Sequence, residues 1–403
     1  MKNKYKEDTD VMKKDIKDDY IVYVGNFDIS NLNAAGKRVL NISKLLEKIG
    51  YKVFLVESTK KQMNINRMKK ITNNITLYSF EYPTKLYKWC FYKEKVSKLI
   101  KIMGSLNVKY IIFYGSPTAS CFISKMLKYN RNNNIISISD VVDILTPEYK
   151  NPVKWILKTI DNKNRLWLNK QMDGLFVISN YLKNYYNNVP SVVIPPLMEY
   201  NSSNLNNKNN LNKYIKIYYS GIPFRIGKKN CNTKHLKDRI DLIVDVMTYF
   251  KNDIKLDIYG LNKNDFLNAF PKYKDRITDN ISFLGNIDNK NLLKKLPEYD
   301  FSILIRNNSR AANAGFPTKI SESISIFVPV ITNDTSDIKK YIKDGKNGFV
   351  IDTYEKSELH DILKKIISLN GQEIYNMKRY CKENQLFDYR RYEDILVDFL
   401  DKI

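Results

Sequence analysis

From residue 20 onward, short apolar runs rich in Val, Ile, Tyr and Phe alternate with longer stretches of helical period, and this rhythm is the strongest constraint on the fold. YIVYVG (20–25), an amphipathic segment at 34–49 with Val39, Leu40, Ile42, Leu45, Leu46 and Ile49 on one side, and YKVFLVE (51–57) make a βαβ unit. YIIFYG (110–115), IISISD (135–140), GLFVIS (174–179) and VVIPP (192–196) continue the pattern, with spacers long enough for crossover helices. Runs this apolar are covered on both faces, so the first half is a parallel α/β sheet. An Asn-rich stretch with little to bury follows, and the rhythm resumes. Its second part has strands at 215–221, 254–260, 281–286, 301–305 and 328–333, and helices at 238–251, 289–296 and 317–326. The expected class is α/β with two Rossmann-like, doubly wound domains facing across a cleft. The boundaries are a polar tail at 1–19, a first domain at 20–199, a linker at 200–214, a second domain at 215–385 and a closing helix at 386–403 that packs back on the first. Residues 371–403 read as helical, with Tyr392, Ile395, Leu396 and Phe399 on one face. At 403 residues the chain is long enough for two cores.

Composition narrows the function. The net charge is +24, and residues 1–200 carry +16 of it, which favours a phosphate-rich partner such as a nucleotide, a nucleic acid or an anionic membrane. Abundant Asn, Lys, Ile and Tyr also suit an AT-rich genome, so codon bias accounts for part of the excess. Basic residues and aromatics are not interleaved in any helix-turn-helix, RNP-like or zinc pattern, so nucleic-acid binding by charge alone is the rival from another class. Cys90, Cys121, Cys231 and Cys381 are scattered, and only His235 and His360 could join them, so no Cys/His metal site is expected. Reduced thiols fit a cytoplasmic protein. No run approaches the roughly 20 apolar residues of a membrane span.

The most informative segment is RNNSRAANAGFPTKISESISIFVPVIT (306–332). A strand ends, a polar loop follows, and Pro317 takes the first helical position, where its missing N–H costs nothing. The amides of Thr318 and Lys319 then open an anion site reinforced by Arg306, Arg310 and Lys319. Glu322 lies one turn further in, where a carboxylate accepts bonds from vicinal hydroxyls such as those of a ribose; an ordinary crossover with a surface Glu fits the pattern equally well.

GFPTKISESISIFVPVIT, KDRIDLIVDVM, DGLFVISNYLKNYY followed by IPP, and AAGKRVLNISKLLEKIGYKV together resemble the retaining glycosyltransferases of family 4, which have the GT-B fold. The resemblance implies transfer of a sugar from a nucleoside diphosphate sugar to a hydroxyl with retention of configuration, in bacterial surface polysaccharide or glycolipid synthesis. The acceptor would be a saccharide or lipid-linked, and the enzyme peripheral on the inner face of the cell membrane. It implies donor binding by Glu322, Gly315, Phe316, Pro317, Thr318, Lys319, Arg306, Ile287, Gly221 and Gly36, and catalysis by Lys237, Arg225 and Asp140. Of the family's paired glutamates the second falls on Glu322, whereas the first falls on Ala314. Lys237 matches the lysine that clamps the donor diphosphate, with Lys228 and Lys229 as alternatives to Arg225 in a longer loop. Asp140 and Asp143 stand where many members carry a histidine; helix capping is the plainer reading of both. No cofactor and no metal are expected, since fixed cations can stabilise the leaving group and the only DxD is Asp8-Thr9-Asp10 in the tail. A sugar-nucleotide epimerase of the same fold is the enzymatic alternative.

The stretch KLYKWCFYKEKVSKLIKIM (85–103) puts Leu86, Trp89, Val96, Leu99, Ile100 and Met103 on one stripe, with six lysines mostly off it. It reads either as a membrane-surface helix or as a domain helix with its stripe in the core, and the core is the better reading for the stripe.

Overall fold

The computed structural model describes residues 19–30, 33–59, 68–81, 93–115, 119–144, 152–200 and 214–403. Most of the expected tail and linker, residues 82–92 and the Asp8-Thr9-Asp10 motif lie outside the described residues. In chain order the first sheet is built from β1 (Tyr20–Gly25), α1 (Ala34–Lys48), β2 (Lys52–Thr59), β3 (Met68–Lys70), β4 (Ile75–Glu81), α2 (Lys93–Met103), β5 (Val108–Tyr114), α3 (Ala119–Asn132), β6 (Ile136–Val141), α4 (Pro152–Asn169), β7 (Gly174–Val177), α5 (Asn180–Tyr185) and β8 (Ser191–Val193). The strand order is β3-β4-β2-β1-β5-β6-β7-β8. β1 pairs in parallel with β2, Tyr20 opposite Lys52 and Gly25 opposite Glu57, while β3 runs antiparallel to β4.

The second sheet follows with β9 (Ile215–Ser220), α6 (Ile240–Met247), β10 (Ile254–Tyr259), α7 (Lys263–Ala269), β11 (Ile281–Gly285), α8 (Asn289–Lys295), β12 (Phe301–Leu304), α9 (Arg310–Ala314), α10 (Thr318–Ser325), β13 (Val330–Asn333), α11 (Ile338–Tyr341), β14 (Gly348–Ile351), α12 (Lys356–Ile367), α13 (Gly371–Asn384) and α14 (Glu393–Leu400). Its order, β11-β10-β9-β12-β13-β14, reverses direction between β9 and β12. In an open parallel sheet the carboxyl ends of the two strands at such a reversal diverge and leave a crevice for ligand.

Several expectations shift in detail. VVIPP forms only Ser191–Val193, because Pro195 and Pro196 have no N–H for a ladder. The helix expected over 238–251 is Ile240–Met247, tightening into a 3₁₀ turn at Thr248–Phe250. The closing helical region is interrupted at Gln385, whose φ of 43° is left-handed. In its last helix Leu396 and Phe399 are buried but Ile395 is 47% exposed, so Ile395 does not share their face. Pro317 caps α10 from outside, and Thr318 is the first helical residue. In α2, Val96, Leu99 and Met103 are buried, so the described part of the 85–103 stripe is core.

The chain divides into two compact units, Met1–Ile138 with Glu393–Ile403, and Ser139–Tyr392. Within the first, α14 is anchored where the Tyr110 hydroxyl donates to the Leu400 carbonyl at 3.1 Å and Lys48 pairs with Glu393 at 2.7 Å. Within the second, residues 179–200 are tied to the chain beyond 300: Ser179 Oγ donates to the Ala314 carbonyl, the Asn180 amide to Asp337, and the Met198 amide to the Phe387 carbonyl. No helix of the described residues is long and apolar enough to cross a membrane.

Candidate functional site

At the reversal of the second sheet, β9 ends in Tyr219-Ser220-Gly221 and β12 runs on through Ile305 to Arg306. Arg306 is fixed by its backbone: its amide donates to Asn333 Oδ1 at 2.8 Å, and Asn333 Nδ2 returns a bond to its carbonyl at 2.9 Å. Its side chain meets Asp238, just ahead of α6, with Nε 3.1 Å from Oδ1. Lys319, in the first turn of α10, places Nζ 2.6 Å from Asp238 Oδ2. Tyr219 donates to the same oxygen at 2.8 Å, and its ring lies under the Lys319 ammonium, 4.4 Å from the centroid. Three elements thus converge on one carboxylate that has no exposure at all.

A buried carboxylate is tolerable only when paired. Burial by itself would raise the Asp238 carboxyl, but Lys319 and Arg306 outweigh it and hold the group down at about 2. Burial pushes the Lys319 ammonium below the usual lysine range; Asp238 opposes that shift, and repulsion from Arg306 and Lys237 adds to it. Lys237 therefore lies within electrostatic reach of the cluster, although its side chain is exposed. Arg306 and Lys319 share a single anion, so the local excess is positive.

Gly221 is what lets the ammonium in. Its φ is +144°, and a Cβ there would stand 2.0 Å from Lys319 Nζ. Gly260 packs behind it, where a Cβ would fall 2.7 Å from the Gly221 carbonyl oxygen. The amides of Thr318 and Lys319 open α10 ahead of Ile320, whose amide bonds back to the Pro317 carbonyl at 3.0 Å. Glu322 is half-buried one turn on, close enough to bear on the Tyr218 hydroxyl. α10 is seated by Ser323, whose Oγ is 2.9 Å from that hydroxyl and 2.7 Å from Ser302 Oγ.

The structure therefore gathers Lys237, Arg306, Lys319 and Gly221 in one place, with Pro317, Thr318 and Glu322 on the adjoining helix. Arg225, Lys228 and Lys229 are exposed on the 221–239 loop, and Arg310 is exposed over the Tyr185 ring. Phe316 is withdrawn into an aromatic cluster with Tyr341 and Phe387, at 5.4 and 5.8 Å, and steadies the turn into α10. Ala314 is completely buried, and its carbonyl accepts from Ser179 Oγ at 2.7 Å. A Cβ on Gly315 would sit 3.5 Å from the Val142 carbonyl, which brings the chain just beyond Asp140 against this turn. Asp140 is buried, and Asp143 pairs with Arg165 at 3.6 Å. Ile287 packs on the Tyr218, Tyr259 and Tyr299 cluster. Gly36 belongs to the first unit, where α1 approaches the Asp28 carbonyl so closely that a Cβ would stand 2.2 Å from its oxygen. Sequence reasoning missed Asp238; its one signal is an acid wedged between Lys237 and Arg239 at a helix start.

Residues 233–385 match the family model described as glycosyl transferases group 1. No curated protein matches the chain. Among solved structures it is similar to sucrose-phosphate synthase (tll1590) from Thermosynechococcus elongatus, with a TM-score of 0.67 at 11% identity over 95% of this chain and 98% of that one. It is also similar to Anabaena Alr3699/HepE in complex with UDP and glucose, at 0.61 and 13% over 95% and 99%. A third is the lipopolysaccharide outer core galactosyltransferase WaaB, at 0.58 and 14% over 91% and 99%. At these identities the likeness is one of fold, and the fold is GT-B. Asp238, Arg306 and Lys319 and all of α10 lie within the residues that match that family model.

Proposed function

We propose that this protein is a glycosyltransferase that moves a hexosyl group from a nucleoside diphosphate sugar to a hydroxyl of a saccharide or lipid-linked acceptor, with retention of configuration, in bacterial surface polysaccharide or glycolipid synthesis. The observation that carries this reading is the buried group of Arg306 and Lys319 on Asp238 at the strand reversal, beside the first turn of α10. Departure of a nucleoside diphosphate concentrates negative charge on the leaving oxygens. Lys319, with Arg306 behind it and Lys237 on the exposed side, supplies fixed positive charge there, and the α10 amides add their dipole. Held in advance, these groups need no rearrangement as the charge develops, and the proposal includes no metal. Glu322 accepts from the ribose hydroxyls. Lys237 and Arg225 complete the phosphate contacts, and Asp140 faces the transferred sugar.

UDP is the first nucleotide to try, because HepE and a trehalose-6-phosphate protein from E. coli have been solved with UDP or UDP-2-fluoro glucose. Titration calorimetry should show UDP binding that Glu322→Gln weakens by about 1.5–3 kcal/mol, the worth of charge-assisted bonds to a ribose. Turnover should persist in EDTA. If no nucleoside diphosphate binds, or if Glu322→Gln binds as wild type does, the reading is wrong.

A further inference from the structure

Asn307 follows Arg306 beyond the end of β12, half-buried, with its carboxamide turned to the 221–239 loop. Nδ2 lies 2.8 Å from the Thr233 carbonyl and 3.3 Å from those of Lys234 and Leu236. Oδ1 accepts from Arg239 Nη1 at 3.3 Å. These partners fix which way the amide faces, since an oxygen turned toward three carbonyls would be repelled by them. Thr233–His235 is a 3₁₀ turn that Asn232 caps at its start, Oδ1 accepting from the Lys234 amide at 3.0 Å. Helical turns leave carbonyls at their far end without partners of their own, and here Asn307 supplies the donor. The chain is pinned again just beyond, where the Arg239 amide donates to the Ile305 carbonyl at 2.7 Å and Asp238 meets Arg306 and Lys319.

Lys237 stands between these fixed points. The Leu236 carbonyl and the Lys237 amide belong to one planar peptide, so a bond to the first orients the second. With Asp238 held on the other side, the root of the Lys237 side chain is set while its ammonium stays in water. Such a hold is needed, because Lys237 and Lys319 repel one another and a loose loop would carry Lys237 away from the site. The bonds themselves add little to stability: Thr233 is half-buried and Lys234 exposed, where water satisfies carbonyls almost as well. Placement is another matter, since a shift of about 1 Å in a group facing the reacting atoms can cost on the order of a hundredfold in rate. We propose that Asn307 is a positioning residue for Lys237, clasping residues 233–236 to the end of β12 so that the ammonium stays within reach of the donor diphosphate. The inference rests on the role given to Lys237 under the proposed function.

The test is a double-mutant cycle on UDP release from UDP-glucose, pairing Lys237→Ala with Asn307→Leu, which keeps the branch at Cγ and removes both polar atoms. Thermal unfolding checks that each variant folds. Asn307→Leu should lower kcat about tenfold or more with KM within about twofold of wild type, and should change kcat less than about twofold once Lys237→Ala is present. Asn307→Gln, which regains the donor, should recover most of the lost kcat. A second arm needs no nucleotide: trypsin should cut after the exposed Lys234 about tenfold faster in Asn307→Leu than in wild type, because the loop opens more often. An equal fall of kcat in both backgrounds, or no fall in either, overturns the proposal, as does cleavage at the wild-type rate. A wild type that releases no UDP while Asn307→Leu still loses protection would sink the function proposed above and leave the clasp standing.

Discussion

Two sets of cations bracket the same stretch of the second unit and are built on opposite principles. Arg306 and Lys319 are drawn into the protein on a shared carboxylate, with side-chain exposures of 10 and 24%. Arg225, Lys228, Lys229 and Lys237 stand in water. The first set has already lost most of its hydration, so its field on an incoming anion is weakly screened and fixed in direction. The second is screened by solvent within about 10 Å and must be ordered when a ligand arrives. The buried pair thus provides position and the loop provides additional charge.

Removing the anchor should have the largest effect. Asp238→Ala strands two buried cations and should cost about 3–5 kcal/mol in urea unfolding at pH 7; wild-type stability would mean that Arg306 and Lys319 hold themselves. Next comes Gly221→Ala. It puts a methyl into the space of Lys319 Nζ at a φ of +144° and should cost about 1–3 kcal/mol while weakening nucleotide binding. A Gly221→Ala protein that binds UDP normally would separate Lys319 from the donor. Acid gives a third, smaller test. The folded Asp238 carboxyl is depressed to about 2, against about 3.9 in an unfolded chain, so its stabilisation is complete above roughly pH 4 and is lost as pH falls toward 2. Asp238→Asn should therefore flatten that part of the acid-unfolding curve. The smallest effect on stability belongs to the loop. Lys237→Ala and Arg225→Ala should unfold within about 0.5 kcal/mol of wild type, with Lys237→Ala losing turnover. If turnover survives in Lys237→Ala but collapses in Arg225→Ala or Lys228→Ala, the loop cation is a different residue.

The alternation of strands and helices was legible because β-branched apolar runs stand out from Asn and Lys. β4 was not, since ITLYSFE follows a polar stretch and its burial depends on pairing with β2. Arg306 and Lys319 could be read from a strand, loop and helix in succession, whereas Gly221 was implied by the resemblance alone. Asp238 could not, because its partners lie 68 and 81 residues away and only the sheet brings them together. The resemblance flagged Ala314 as a departure, but the tie of its carbonyl to Ser179, 135 residues distant, could not be read from the sequence.

The anchoring of α14 has a consequence for the order of synthesis. Tyr110 and Lys48 find their partners at Leu400 and Glu393, within the same compact unit but far along the chain. Translation proceeds at about 5–20 residues per second, so on the order of ten seconds or more separates Ile138 from Glu393. During that interval the whole of Ser139–Tyr392 is made while the first unit waits for its last helix. A ribosome stalled before Glu393 would hold a first unit whose Tyr110 and Lys48 lack these partners, a state that pulse proteolysis of arrested chains would detect.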